Sequence, residues 1–140
     1  MFGMPNRSFL LAIMLLLGLS ARSSAYLGDS GETIDDNYGY VQARHLNDDG
    51  TISFIYHNDH YYIHVVIDHG RSVLEKYWRA DGHDLSKREI DRFFKANGGG
   101  DLKWEPRAAG EFVRSDHKAE ALVEKDDGKV TLTVHRLRGH

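Results

Sequence analysis

The chain has 140 residues, no cysteine and a formal net charge of −3 at pH 7. This length predicts a single domain, and the lack of cysteine excludes disulfide bonds and thiol chemistry. The acidic balance argues against nucleic-acid binding, because contacts with phosphates require a basic surface.

The N-terminus has the pattern of a cleaved signal peptide. Arg7 precedes an apolar run from Phe9 to Leu19, and Ser23 and Ala25 are small residues at the −3 and −1 positions of a cleavage site. A membrane-spanning helix needs about 20 apolar residues, so the run is too short to be one. We expect removal of residues 1–25 after Ala25, which leaves a periplasmic or secreted protein without a membrane span. Two arginines leave with the signal peptide, so the net charge becomes −5.

The first part of the mature chain divides into a polar segment and a run of strands. Residues 26–37 are acidic and poor in apolar side chains, which predicts a flexible lead-in to a single domain over residues 38–140. Residues 38–46 form the first predicted strand, and the NDDG sequence at 47–50 predicts a hairpin turn. Three antiparallel strands follow between residues 52 and 79, separated by turns at residues 58–59 and 69–70.

Counting through two-residue turns predicts the register of these three strands. His57 is expected to face His60, and His64 is expected to face Glu75. The residues of the predicted core face are Ile52, Phe54, Tyr56, Tyr61, Ile63, Val65, Ile67, Leu74 and Trp78. The residues of the predicted solvent face are Ser53, His57, His60, Tyr62, His64, Glu75, Tyr77 and Arg79.

A helix is predicted after the third of these strands. Ser86 and Glu89 have the spacing of a capping box, and Gly98 marks the helix end. Ile90, Phe93 and Phe94 form one apolar stripe, which we expect to pack on the sheet because so short a helix is marginal alone.

Four further strands are predicted after the helix, the last two joined by the KDDG turn at 125–128. In the last strand, alternation predicts one face with Val130, Leu132 and Val134 and the other with Thr131, Thr133 and His135. Pro106 is expected in a loop or at a sheet edge, and Trp78 and Trp104 are assigned to the core. The predicted fold class is therefore α+β: a mostly antiparallel sheet, in the order strands–helix–strands, with a single helix packed on one face. The turns DDGTI and DDGKV are alike, but the residues around them do not repeat. No pattern fixes the oligomeric state.

The histidines of the solvent face suggest a metal site. The chain has nine histidines, and imidazole and carboxylate groups are ligands that Zn²⁺ and Cu²⁺ prefer. His57, His60 and His64, with help from Glu75, are the candidate ligands. The alternative is that these histidines are ordinary cross-strand partners on a wet sheet face, in which case no cofactor is expected.

Two other functions fit the same residues. A hydrolase would use His64 and Glu75 as an acid–base pair, although no nucleophile motif accompanies them. A binding domain would use the whole surface to recognise a protein or an envelope component, because Tyr, His and Arg suit recognition. The alternative is that a second layer, such as the C-terminal strands, covers this face and buries Tyr62 and Tyr77 in a small core. The residues of that predicted binding surface are His57, His60, Tyr62, His64, Glu75, Tyr77 and Arg79. We favour the binding domain over an enzyme.

Four short features occur together in the chain: GRSVLE at 70–75, DLSKREI at 84–90, NGGG at 97–100 and Trp104. In these features the chain resembles small, signal-bearing bacterial proteins of unknown function. The resemblance covers about half of the mature chain. It implies an exported protein with this arrangement of turn, strand and capped helix, and it implies no site residues.

Overall fold

The computed structural model describes residues 26–138, which form an eight-stranded antiparallel sheet and two short helices. The predicted signal peptide and its cleavage site lie outside the described residues. The elements in chain order are α1 (Gly31–Tyr38), β1 (Tyr40–Leu46), β2 (Ile52–His57), β3 (Tyr61–Asp68), β4 (Arg71–Arg79), α2 (Lys87–Ala96), β5 (Trp104–Ala108), β6 (Glu111–Arg114), β7 (Ala119–Asp126) and β8 (Lys129–Arg136). The strand order across the sheet is β1-β2-β3-β4-β8-β7-β6-β5.

The predicted fold class, with a single helix on one face, is wrong, because a second helix lies where a flexible lead-in was expected. Ser30 caps α1 by accepting a hydrogen bond from the Thr33 amide. Ile34 and Tyr38 are buried one turn apart, so α1 is held by contact with the sheet. The segment before α1 is also tied down, since the Gly28 amide donates to the Ser72 carbonyl over 2.9 Å.

The order of elements repeats along the chain. Each half has one helix followed by four antiparallel strands, and the last strands of the two halves, β4 and β8, pair in the middle of the sheet. The two similar turns do not occupy equivalent places, because DDGTI joins β1 to β2 and DDGKV joins β7 to β8. The repeat is therefore one of topology, and the turn sequences do not reveal it.

A bulge in β4 changes the predicted register. Asp68 pairs with Arg71 as predicted, but Ile67 pairs with Ser72 and Val66 pairs with Leu74, which leaves Val73 without a partner across the strand pair. Every later residue of β4 is shifted by one position relative to β3. An odd shift exchanges the two faces of a strand, so the predicted faces of β4 are wrong from Leu74 onward.

The loop between β2 and β3 is longer than predicted. His57 pairs with Tyr62 and Ile55 pairs with His64, a shift of two positions from the predicted register. The Asn58 amide donates to the Tyr61 carbonyl and closes the loop. An even shift preserves the faces of both strands, so the predicted faces of β2 and β3 are correct although their pairs are not.

The helix predicted from the capping box is confirmed. The Ser86 side chain accepts from the Glu89 amide over 3.1 Å, and the Glu89 carboxylate accepts from the Ser86 amide over 3.0 Å. Phe93 stacks on Tyr77 with 4.1 Å between ring centroids. Phe94 packs against Trp104, whose predicted place in the core is also confirmed.

Both helices contact the same face of the sheet, which we call the helix face. The buried core lies there, built from α1, α2 and the central strands. The opposite face, which we call the open face, carries no helix among residues 26–138. Within the same residues, no helix has the length and apolar character needed to cross a membrane.

Candidate functional site

The predicted binding surface is divided between the two faces of the sheet. His57, Tyr62 and His64 lie on the open face, and His60 lies in the loop between β2 and β3. The bulge at Val73 carries the remaining three residues, which are Glu75, Tyr77 and Arg79, to the helix face. His64 and Glu75, the predicted acid–base pair, therefore point to opposite sides of the sheet.

The same bulge brings Trp78 to the open face, so its predicted place in the core is wrong. Tyr62 pairs with Trp78 and with His57 on the two neighbouring strands. The three rings form a stack, which we call the aromatic row: His57 to Tyr62 is 4.4 Å with planes 18° apart, and Tyr62 to Trp78 is 5.6 Å with planes 22° apart. All three rings are half-buried and are covered by no helix.

A pocket of about 300 Å³ opens at the β8 end of the aromatic row. Its lining consists of His64, Lys76, Trp78, Asp126, Asp127, Lys129 and Thr131. The pairing of β4 with β8 ends at Tyr77 and Leu132, one position before Trp78 and Thr131, and both of these residues line the pocket. The Thr131 side chain is much smaller than the rings of the aromatic row. The space over Thr131 on the open face is part of the pocket.

The charged groups of the pocket are of both signs. Lys76 donates to the Asp126 carboxylate and forms an ion pair with it, and that lysine lowers the pKa of Asp126. Burial lowers the pKa of His64, and the positive charge of Lys76 lowers it further. The lowered pKa favours the neutral imidazole of His64, which offers one donor and one acceptor to the pocket.

On the helix face, Glu75 is the centre of a buried polar cluster. Its side chain is fully buried, and Tyr38 and Tyr77 both donate to Oε1, the latter over 2.9 Å. Ser72 donates to Oε2 over 2.7 Å. Burial raises the pKa of the Glu75 carboxyl, and these three hydrogen bonds oppose the rise.

Asn97 joins this cluster to both helices. Its Nδ2 donates to the Tyr77 hydroxyl over 3.1 Å, and its Oδ1 accepts from the Leu27 amide over 2.9 Å. Tyr38 belongs to α1 and Asn97 caps α2, so the cluster connects both helices to β4. Because it is closed to solvent, we assign Glu75 and Tyr77 a structural role.

Arg79 is likewise engaged within the protein. It pairs with Asp81 over 2.5 Å and with Glu89 of α2 over 3.2 Å. Burial alone would raise the pKa of Glu89, but hydrogen bonds from Tyr61, Ser86 and Arg79 outweigh it and lower the pKa to about 2. Arg79 therefore connects β4 to α2.

The predicted metal ligands are not brought together. His57 stacks on Tyr62, His64 lines the pocket, and His60 lies in a loop. Among residues 26–138, no group of three or more His, Cys, Asp or Glu side chains is placed to hold a metal ion. Binding of Zn²⁺ or Cu²⁺ stays a prediction from the sequence.

The pocket residues other than His64 were missed by sequence reasoning. The bulge hid Trp78 and Lys76, because simple alternation assigns each of them to the wrong face. Thr131 was predicted on the face opposite Leu132, and the structure confirms this alternation along β8. One feature of the sequence could have indicated the pocket. The predicted turn at residues 125–128 contains Asp126 and Asp127, which line the pocket together with Thr131.

No protein-family model and no curated protein sequence matches the chain. Among solved structures, the chain is similar to a cysteine-rich secretory protein from Staphylococcus aureus subsp. aureus Mu50. The TM-score is 0.48 and the identity 13%, over 79% of this chain and 44% of that chain. Our chain thus spans less than half of that protein's length, and at this level of similarity the comparison supports no conclusion about function.

Proposed function

We propose that this protein is an exported domain that binds an envelope component or another exported protein, and that it acts by binding and not by catalysis. The observation that carries the proposal is the aromatic row on the open face, next to a pocket. Single apolar side chains are common on protein surfaces, but a contiguous patch of them is a feature of interaction sites, and the three rings of the row are in contact with one another.

The row suits recognition for a physical reason. Tyr and Trp supply a large contact area at a small cost in side-chain entropy, and stacking of His57 on Tyr62 and of Tyr62 on Trp78 restrains all three rings before a partner arrives. A restrained surface loses less conformational entropy on binding. The row therefore has the character of an anchor at the centre of an interface.

The chemistry of the site supports binding over catalysis. Glu75, the carboxylate predicted to assist His64, points to the other side of the sheet and is held by three hydroxyl donors. Asp126, which lines the same pocket as His64, is paired with Lys76. The groups that line the pocket, such as His64 and Trp78, are suited to holding a ligand by hydrogen bonds and ring contacts.

The export part of the proposal rests on residues 1–25 of the sequence and has its own test. Expression of the full chain in its source organism should give a mature protein that begins at Tyr26, detected by N-terminal sequencing of the extracytoplasmic fraction. Retention of Met1 in a cytoplasmic protein would contradict export and would leave the binding surface unaffected.

The binding part is tested with purified residues 26–140 and cell envelopes isolated from the source organism. Co-sedimentation should fall at least about five-fold in Tyr62→Ala, because removing an anchor at the centre of an interface costs about 1 kcal/mol or more. Arg88→Ala, an exposed change on α2, should bind as the unmodified domain does. Melting temperatures of both variants establish that they are folded. Equal sedimentation of all three proteins, or of none, would overturn the proposal.

A further inference from the structure

The aromatic row ends at a space that a further ring would fill. Tyr62 covers one face of the Trp78 indole, and the indole also lines the pocket above Thr131. The spacing along the row is set by neighbouring strands, so the position above Thr131 is the next in the series. A ligand ring seated there would stack on an indole that Tyr62 already supports from behind.

The charges around this space indicate what kind of ring it takes. Two lysines and two aspartates line the pocket, Lys76 and Lys129 with Asp126 and Asp127, so the lining carries no excess of either sign. A phosphate or sulfate group would favour a basic pocket. Mixed donors and acceptors instead suit a neutral ligand with several hydroxyl groups, each of which both donates and accepts hydrogen bonds.

A pyranose ring has both required properties. Its C–H groups form an apolar face that packs on an indole, and its hydroxyl groups reach outward to charged side chains and to the neutral imidazole of His64. The pocket volume of about 300 Å³ lies at the lower end of the range for small-molecule sites. We propose that the pocket beside Trp78 is a saccharide subsite, which holds one sugar ring of a glycan by stacking on the indole. This inference rests on the proposed binding function of the open face.

The inference is tested by calorimetric titration of residues 26–140 with soluble oligosaccharides of glucose, of N-acetylglucosamine and of galactose. We expect saturable binding of one of them. The affinity should fall about ten-fold in Trp78→Ala, the upper range of what an aromatic contact contributes, and should be partly restored in Trp78→Phe, which keeps a ring.

A matched pair of turn variants separates the pocket from general effects of charge. Asp126→Asn changes the pocket, whereas Asp48→Asn makes the same change in the similar turn between β1 and β2. Only the first should weaken binding. In addition, fluorescence of Trp78 in a Trp104→Phe background should change on titration, because Trp104 lies on the helix face.

The outcomes distinguish this inference from the proposed function. If no saccharide binds while Tyr62→Ala still weakens attachment to envelopes, the saccharide subsite is wrong and the binding surface stands. If a saccharide binds equally well to Trp78→Ala, it binds elsewhere and the inference is overturned. If substitutions on the open face change neither the affinity for saccharides nor the co-sedimentation with envelopes, both proposals fail.

Discussion

At the scale of single residues, Glu75 shows how a side chain that looks functional in the sequence can serve the fold. A carboxyl group loses its hydration when it is fully buried, and three hydroxyl donors from Tyr38, Tyr77 and Ser72 compensate for part of that loss. The donors come from α1 and β4, so the group is satisfied only when both elements are in place. Burial still raises its pKa above the usual 4.5.

The raised pKa of Glu75 predicts a specific dependence of stability on pH. Between pH 4.5 and the higher pKa of the folded state, the unfolded chain has released the proton that the folded protein retains. The contribution of Glu75 to stability is therefore fully present below pH 4.5 and is lost as pH rises through the folded-state pKa. Relative to the unmodified protein, Glu75→Gln should become progressively more stable as pH rises through this window.

Urea denaturation of both proteins between about pH 4 and pH 8 measures this difference. Comparing the two proteins at each pH removes the contribution of other titrating groups, such as His64, which they share. Glu111→Gln, at an exposed position, should follow the unmodified protein across the range. A constant difference between Glu75→Gln and the unmodified protein would show that the buried carboxyl does not titrate as described.

At the scale of elements, the bulge at Val73 decides which residues form the candidate site. One extra residue in β4 sends Glu75 and Tyr77 to the core and Trp78 to the open face. The hairpin turn before it has a regular register, in which Asp68 pairs with Arg71. The residues of the turn therefore specify the pairing of β3 with β4 next to the turn, but not the register beyond the bulge.

The docking of α2 can be tested through Phe93. Its ring stacks on Tyr77 and meets Tyr61 edge-on at 5.1 Å, and these contacts join the helix to β3 and β4. Phe93→Ala should lower the free energy of unfolding by about 2–4 kcal/mol, somewhat below the range for a fully buried phenylalanine because this ring is half-buried. Chemical denaturation gives the value.

Lys95→Ala is the control for α2, since this residue lies on the exposed side of the helix and should change stability by no more than about 0.5 kcal/mol. A loss below about 1 kcal/mol in Phe93→Ala would mean that the helix is held by other contacts, such as those of Phe94 and the Arg79–Glu89 pair.

At the scale of the whole molecule, the two halves meet through their last strands. β4 and β8 are covered by neighbours on both sides, whereas β1 and β5 are the edges. Every residue of β1 is exposed, including Tyr40 at 83%. The bulge in β1 and Pro106 in β5 interrupt the regular edges, which disfavours the addition of further strands.

This arrangement predicts an order of hydrogen exchange across the sheet. Amides of β4 and β8 should exchange at least about 100-fold more slowly than those of β1, because opening the centre requires separating the two halves. Exchange followed by NMR on residues 26–140 gives the rates strand by strand. Equal protection in β1 and β4 would contradict the proposed centre of stability.

Features that depend on near neighbours in the chain are predictable from the sequence. The capping box of Ser86 and Glu89, the turns at residues 47–50, 69–70 and 125–128, and the alternation along β8 all follow from interactions within a few residues. These patterns were sufficient to predict an antiparallel sheet and α2. They were also sufficient to place His57, Tyr62 and His64 on one face. The predicted register between β2 and β3 was wrong by two positions, and a shift of two leaves each side chain on the same face.

Contacts between distant parts of the chain produce α1, the central pairing of β4 with β8, and the composition of the site. An eight-residue helix is not stable alone, so α1 exists because Ile34 and Tyr38 have a sheet to pack against. The bulge at Val73 leaves one residue of β4 unpaired with β3. Its position depends on which side chains of β4 pack in the core. Trp78 and the pocket beside it depend on that choice, which is made by contacts between residues far apart in the chain.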